Sequence, residues 1–89
     1  MPVKRLIIKG KVQGVFYRAR AKEAAAKAGI TGWVKNTVDG HVEALVSGNK
    51  AQLELFINWC RRGPERAEVV EMIIMDEPET SFDEFRILR

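Results

Sequence analysis

The sequence predicts an α+β fold in which two helices cover one face of a mainly antiparallel sheet. Strand-like stretches with alternating apolar residues and helix-like stretches follow the order β, α, β, β, α, β, with one short strand after them. Each helical stretch ends at a glycine, and an Asp-Gly dipeptide joins the second and third strands. The 89 residues suffice for one hydrophobic core, so we expect a single domain over residues 1–89.

The first strand and the first helix are separated by a short loop that contains glycine. Val3–Val12 alternates in polarity, with Leu6 and Ile8 on one face of the predicted strand. Tyr17–Ala28 is rich in alanine and other strong helix formers, which predicts a helix. Gly29 directly follows this stretch, and glycine readily adopts the left-handed conformation that ends a helix.

The second and third strands form a predicted hairpin. Ile30–Val38 and His41–Ser47 both alternate in polarity. Asp39 and Gly40 between them favour a two-residue type I′ turn. Asn36 is the one polar member of an otherwise apolar row in the second strand. The hairpin therefore carries an unexpected polar side chain close to its turn.

The second helix has clear start and stop signals. Asn49 can cap its free N–H groups, and Gln52 occupies the partner position of a capping box. Gly63 follows as the residue that ends the helix. Ala67–Met75 and Phe82–Leu88 are then predicted as strands. The apolar stripe of the helix has the spacing i, i+3, i+4 and i+7 and consists of Leu53, Phe56, Ile57 and Cys60.

This order of elements is the ferredoxin-like split βαβ sandwich, βαββαβ with a short C-terminal strand. Because crossover connections are right-handed, we expect both helices on one face of the sheet. The first and second strands then run parallel with one strand between them, so their C-terminal ends lie at the same sheet edge. Two strand spacings amount to roughly 10 Å. Asn36, late in the second strand, can therefore approach a group held by the loop after the first strand.

That loop is the candidate anion site. Gly14 permits backbone dihedrals that are closed to other residues, and N–H groups at a helix start have no helical partners. The helix dipole also favours negative charge there. Arg18, in the first helical turn, can meet a phosphate with two parallel hydrogen bonds, which lysine cannot do. From the loop alone, however, an ordinary turn followed by a surface arginine is the favoured interpretation.

Two stretches resemble the signatures of the acylphosphatase family. Gly10–Arg18 is similar to Gly-x-Val-Gln-Gly-Val-x-Phe-Arg, with Tyr17 where phenylalanine is usual. Gly32–Glu43 is similar to the second signature of the family. The family's later pattern is matched by Trp59, Gly63, Pro64, Ala67 and Val69. The similarity covers nearly the whole chain, and two ordered motifs at the expected separation are more specific than either alone.

The resemblance implies that the chain is an enzyme that hydrolyses acyl phosphates to a carboxylate and inorganic phosphate. It implies that Arg18 binds the phosphate and that Asn36 holds and orients the attacking water. The backbone N–H groups of the loop would complete the phosphate site, namely those of Gln13, Gly14, Val15, Phe16, Tyr17 and Arg18. We expect the substrate to be a small molecule and the reaction to need no metal and no cofactor.

The residue types of the loop suit this chemistry. Phosphoryl transfer depends mainly on positioning and on donors aimed at the phosphate oxygens. A carboxylate leaves without a proton, so a site without a general acid can cleave acyl phosphates but is poorly suited to alkyl phosphate esters. Residues 12–18 contain no Cys, Ser, Thr, His or Asp. Direct attack by water is therefore preferred to a covalent phosphoenzyme.

The composition limits the possible metal sites, disulfides, cellular location and partners of the protein. Cys60 is the only cysteine and His41 the only histidine, which excludes an intramolecular disulfide and a Cys/His zinc site. We interpret Cys60 as a small buried apolar residue and His41 as a solvated strand residue. The N-terminal apolar run is too short for a signal peptide or a membrane span, so we expect a cytoplasmic protein. The net charge of +3 suits anionic partners but equally a solvated surface.

Two other functions are compatible with this topology. An RNA-binding module would carry stacking aromatic residues on its first and third strands, and neither predicted strand has Phe or Tyr. A non-catalytic phosphate-sensing module would keep the loop, but the joint presence of Arg18 and Asn36 argues against it. Trp33 is more consistent with packing, although it lies close to Asn36 in sequence. We expect a monomer with no nucleic-acid or membrane partner.

Overall fold

Residues 1–89 are described by a computed structural model, and the predicted order of elements is confirmed. The elements in chain order are β1 (Val3–Lys11), α1 (Tyr17–Ala28), β2 (Thr31–Asn36), β3 (Val42–Ser47), α2 (Lys50–Arg62), β4 (Glu68–Glu77) and β5 (Phe85–Ile87). The chain folds as two helices packed on a five-stranded mixed sheet, which is the predicted ferredoxin-like arrangement. Neither helix has the length and apolar character that crossing a bilayer requires.

The sheet topology places the C-terminal ends of three strands at one end of the sheet. The strand order is β4-β1-β3-β2-β5. β1 and β2 are each antiparallel to β3, so they run parallel to each other with one strand between them, as predicted. β5 pairs parallel with β2 at the outer edge of the sheet. The loop after β1, the end of β2 and the C-terminal residues therefore lie at the same end of the sheet, where these three parallel strands finish.

The helix bounds and caps agree with the sequence signals. α1 covers the predicted range, and Gly29 ends it in the left-handed conformation at φ 75°. Asn49 and Gln52 form the predicted capping box at the start of α2. The side-chain oxygen of Asn49 accepts from the Gln52 backbone N–H, and the Gln52 side-chain oxygen accepts from the Asn49 backbone N–H, each at 2.8 Å. Local signals therefore suffice to fix both helices.

The hairpin turn differs from the prediction. Asp39 does not have the positive φ that a type I′ turn requires, because Phe16 is the only non-glycine residue with positive φ. The turn instead starts at Thr37, whose carbonyl accepts from the Gly40 N–H at 3.3 Å, and Gly40 supplies the positive φ of 91°. The Thr37 hydroxyl also donates to the Asp39 carboxylate and lowers the pKa of that carboxyl. β2 therefore ends at Asn36, earlier than alternation predicts, and β3 begins at Val42, later than alternation predicts.

The hydrophobic core lies between the helices and the sheet. α1 contributes a face of small residues, with Ala21 and Ala25 fully buried, and α2 contributes Leu53 and Phe56. The sheet contributes every second residue of its three central strands: Leu6, Ile8, Val34, Val42, Ala44 and Val46. Asn36 continues the row of Val34 toward the end of β2, beyond the apolar part of the core.

The other face of the sheet carries a network of charges around Trp33. Arg5 donates to Glu77 at 3.0 Å and also to Glu43, and the hydrogen bond to Glu77 is the main cause of the raised pKa of Arg5. The Trp33 ring lies 6.0 Å from the Arg5 guanidinium carbon and 5.4 Å from the Lys35 ammonium nitrogen. Since strand residues alternate between faces, Trp33 lies opposite the helices and outside the row of Asn36.

Candidate active site

The loop between β1 and α1 has an unusual backbone. Gly14 has φ 75°, and Phe16, which directly precedes the helix, has φ 64° and ψ 24°. The left-handed conformation costs a non-glycine residue roughly 1–2 kcal/mol. No side chain caps the first turn of α1. The loop therefore holds a strained conformation and leaves the start of the helix open, which is typical of functional loops.

The backbone N–H groups of this loop have no acceptor within the protein. The first backbone hydrogen bond of the helix runs from the Arg20 N–H to the Phe16 carbonyl at 3.0 Å. No backbone or side-chain acceptor receives a bond from the N–H of any residue from Gln13 to Arg18. Consecutive free N–H groups at a helix N-terminus can bind an anion, and the helix dipole adds to their positive potential.

Arg18 lies in the first turn of α1 and is half-buried. Its Nη1 donates a long hydrogen bond of 3.4 Å to the carbonyl of Leu88, just after β5. It takes part in none of the ion pairs of the protein. A guanidinium has five N–H donors, so most of its hydrogen-bonding capacity remains free. Its positive charge is available to a ligand.

Asn36 borders the same cavity as Arg18. The cavity has a volume of about 410 Å³ and is lined by Val12, Gly14, Phe16, Tyr17, Arg18, Ala19, Asn36, Ile87 and Arg89. No other residue of the protein forms a hydrogen bond with the Asn36 carboxamide, and no buried side-chain polar atom lacks a partner. Its amide is therefore accessible from the cavity and can both accept and donate a hydrogen bond.

The other predicted loop residues lie in different surroundings. Gly14, Phe16 and Tyr17 line the cavity, whereas Gln13 and Val15 do not. The Gln13 side-chain amide donates to the carbonyls of Thr37 and His41, each at 2.8 Å, and so ties the loop to the β2–β3 turn. Val15 is buried in the core. Any contribution of Gln13 and Val15 to the site therefore comes from the backbone.

Tyr17 is a buried structural anchor of the loop. Its side chain is 2 % exposed, and its hydroxyl donates to the carbonyl of Cys60 at 2.7 Å. Burial raises the pKa of the Tyr17 phenol, which stays protonated. Its ring packs 5.4 Å from that of Trp59. The start of α1 is therefore held against the end of α2, close to where the loop meets the helix.

The sequence did not indicate the role of the C-terminal residues. Ile87 and Arg89 line the cavity, and the Leu88 carbonyl accepts the bond from Arg18. The reason is the parallel pairing of β5 with β2, in which Ile87 lies opposite Val34, two residues before Asn36. Ile87 and Arg89 could be identified as cavity residues only from the position of β5 beside β2, which the sequence pattern does not determine.

The alternative reactive side chains lie away from the cavity. Cys60 is 1 % exposed in α2, and burial raises the pKa of its thiol to about 12. His41 lies beside the β2–β3 turn, with its Nε2 3.7 Å from Asp39. No cluster of three or more His, Cys, Asp or Glu side chains could hold a metal ion. The cavity is lined instead by Arg18, Asn36 and Arg89 and by residues of the loop.

Such a site can bind a tetrahedral anion next to a carboxamide. The fold and the site together define a ferredoxin-like protein whose loop between the first strand and the first helix carries free backbone N–H groups. The family model described as acylphosphatase matches residues 4–87. The chain belongs to the acylphosphatase family.

Individual relatives agree with this assignment. An acylphosphatase of Marinobacter nauticus is 46% identical over 82 residues, which are 91% of this chain and 89% of that protein. One of Syntrophus aciditrophicus is 45% identical over 82 residues, 91% of this chain and 85% of its own. The crystal structure of acylphosphatase from Bacillus subtilis superimposes with a TM-score of 0.96 at 31% identity and covers 100% of both chains. The predicted family is confirmed.

Proposed function

We propose that this protein is an acylphosphatase, which hydrolyses acyl phosphates to a carboxylate and inorganic phosphate. The observation that carries the proposal is that Arg18, Asn36 and the open start of α1 border one cavity. Family membership supplies the substrate class, since relatives that match nearly the whole chain are named acylphosphatases. The cavity supplies the residues for the reaction.

The phosphate group is held by positive charge and N–H donors. Arg18 offers two parallel hydrogen bonds to phosphate oxygens, and its partner Leu88 leaves the other donors of the guanidinium free. The backbone N–H groups from Gln13 to Arg18 bind the remaining oxygens. These donors are fixed by the fold before substrate arrives, so they stabilise the charge of the transition state without reorganising.

A water molecule attacks the phosphorus directly. The Asn36 carbonyl oxygen accepts a hydrogen bond from this water, and its NH₂ group donates to a phosphate oxygen. A bond forms between the water oxygen and phosphorus, and the bond between phosphorus and the bridging oxygen breaks with its electron pair leaving on the carboxylate. Since an amide is not basic, the proton of the water passes to the substrate phosphate itself.

The proposed site acts on acyl phosphates and not on alkyl phosphate esters. A carboxylate leaves as an anion without protonation, whereas an alkoxide needs a general acid. The one cavity-lining side chain with a weakly acidic O–H is Tyr17, and its hydroxyl is committed to the Cys60 carbonyl. The cavity therefore offers no proton donor to a poor leaving group.

Several further properties belong to the same proposal. Residues 1–89 form a single acylphosphatase-like domain that acts as a monomer in the cytoplasm. The substrate is a small-molecule acyl phosphate, and neither nucleic acid nor a membrane is a partner. Catalysis requires no metal or cofactor, because Arg18 and the loop donors supply the positive potential.

The test compares an acyl phosphate with an alkyl phosphate monoester in excess EDTA. We expect acetyl phosphate hydrolysis to be undiminished by the chelator and the alkyl ester to react at least about 10²-fold more slowly. In ¹⁸O-labelled water the label should enter inorganic phosphate and not acetate. Loss of activity in EDTA would exclude the metal-free mechanism. Phosphate binding without turnover of either substrate would instead indicate a phosphate-sensing module.

A further inference from the structure

Phe16 is a large apolar residue at a position that neither packing nor backbone conformation favours. Its side chain is 72% exposed, so it contributes little to the hydrophobic core. Its φ of 64° lies in the left-handed region, where glycine and asparagine are the residues that adopt the conformation at low cost. The phenylalanine therefore calls for an explanation outside the stability of the fold.

The surroundings of Phe16 provide that explanation. Phe16 lines the cavity that Arg18 and Asn36 also line. Ile87, on β5, lines it as well and is itself 38% exposed. The cavity thus has polar groups that suit a phosphate and exposed apolar side chains next to them. Its volume of about 410 Å³ falls within the range of small-molecule sites and leaves room for more than a phosphate.

We propose that Phe16 and Ile87 form a subsite for the acyl group that favours acyl phosphates with an aromatic or bulky apolar acyl part. This inference rests on the proposed hydrolysis of acyl phosphates. Only one bridging oxygen separates the phosphorus from the acyl carbon, so a phosphate bound by Arg18 places the acyl substituent against the neighbouring wall. An aromatic substituent gains contact with the Phe16 ring there, whereas a methyl group is too small to do so.

The kinetic test measures the ratio of kcat/KM for benzoyl phosphate to that for acetyl phosphate. Both substrates share the phosphate and the scissile bond, so changes in phosphate binding cancel in the ratio. Phe16→Gly suits the backbone conformation and should fold, and we expect it to lower the ratio about fivefold, or about 1 kcal/mol. Phe16→Leu should lower it less, and Ile87→Thr should lower it about twofold.

Val70→Thr is the matched control for Ile87→Thr. Val70 is 75% exposed on β4, at the opposite side of the sheet, and it does not line the cavity. The substitution is likewise from a β-branched apolar residue to threonine in an outer strand. We expect it to leave both rates and their ratio unchanged.

A binding measurement separates this inference from the proposed reaction. Phenacylphosphonate and acetonylphosphonate carry CH₂ in place of the bridging oxygen and differ only in phenyl against methyl. We expect phenacylphosphonate to bind the wild-type protein more tightly, and Phe16→Gly to remove most of the difference. Inactivity toward both acyl phosphates would refute the proposed reaction, while the two phosphonates would still report on the subsite. Equal affinities in the wild type, or ratios that do not change in Phe16→Gly, would overturn the subsite.

Discussion

Replacement of Arg18 should weaken both substrate binding and turnover by a large factor. Arg18 forms no ion pair, and its one protein acceptor is the Leu88 carbonyl at 3.4 Å, so little structural stability depends on its guanidinium. A hydrogen bond to a charged group contributes about 1.5–3 kcal/mol. Two parallel bonds to phosphate amount to about 3–6 kcal/mol, and Arg18→Ala should therefore lower kcat/KM roughly 10²–10⁴-fold.

The assay combines kcat/KM for acetyl phosphate with the inhibition constant of inorganic phosphate. Arg18→Lys keeps the charge but loses the paired geometry, so we expect it to recover only part of the loss. Arg20→Ala is the control, because Arg20 lies on the same helix, pairs with Glu23 at 3.1 Å and does not line the cavity. A change in Arg18→Ala of less than about threefold, or an equal loss in Arg20→Ala, would refute the assignment of Arg18 as phosphate ligand.

Two further substitutions test how the loop is held. Gly14→Ala should destabilise the protein by roughly 1–2 kcal/mol through its φ of 75° alone, because no atom lies within 4 Å of an added Cβ. Urea unfolding measures the change in the free energy of unfolding, and an unchanged value would contradict this prediction. Tyr17→Phe removes the 2.7 Å hydrogen bond to the Cys60 carbonyl and should lower the free energy of unfolding by about 1–2 kcal/mol, with a fall in Tm of roughly 4–8 °C per kcal/mol. An unchanged Tm would show that this hydrogen bond contributes nothing to stability.

The helices could be predicted from sequence because their signals are local. The alanine-rich stretch before Gly29 and the capping box of Asn49 and Gln52 involve residues within one or two turns of each other. Strand bounds were less accurate, since a strand ends where its partner ends. β5 covers only Phe85–Ile87 of the predicted Phe82–Leu88, because its pairing with β2 is limited to those residues.

The Asp39-Gly40 turn shows a limit of short-range patterns. The dipeptide favours a type I′ turn, yet the observed turn starts at Thr37 and carries side-chain bonds both from within it and from the loop after β1. The Thr37 hydroxyl bonds to Asp39, and the Gln13 amide bonds to the carbonyls of Thr37 and His41. The bonds from Gln13 join segments far apart in sequence, so no window around the turn contains them.

Only part of the candidate site could be predicted from the sequence. Arg18 and Asn36 could be placed together because the split βαβ topology puts the loop after β1 and the end of β2 at one edge. The left-handed conformation of Phe16 could not be predicted, because phenylalanine gives no signal for it. Nor could the contribution of Ile87, which depends on the parallel pairing of β5. The proposed acyl subsite therefore consists of Ile87 and of the side chain of Phe16, a residue that the sequence predicts only as a backbone phosphate ligand.

The separate roles of Arg18 and Asn36 are tested most directly by Asn36→Ala. Binding of inorganic phosphate and single-turnover hydrolysis of acetyl phosphate should be measured on the same preparation. If Asn36 orients the attacking water, hydrolysis is lost while the affinity for phosphate stays within a few-fold of the wild type. If phosphate affinity falls as far as it does in Arg18→Ala, or if hydrolysis persists, then the carboxamide does not position the nucleophile.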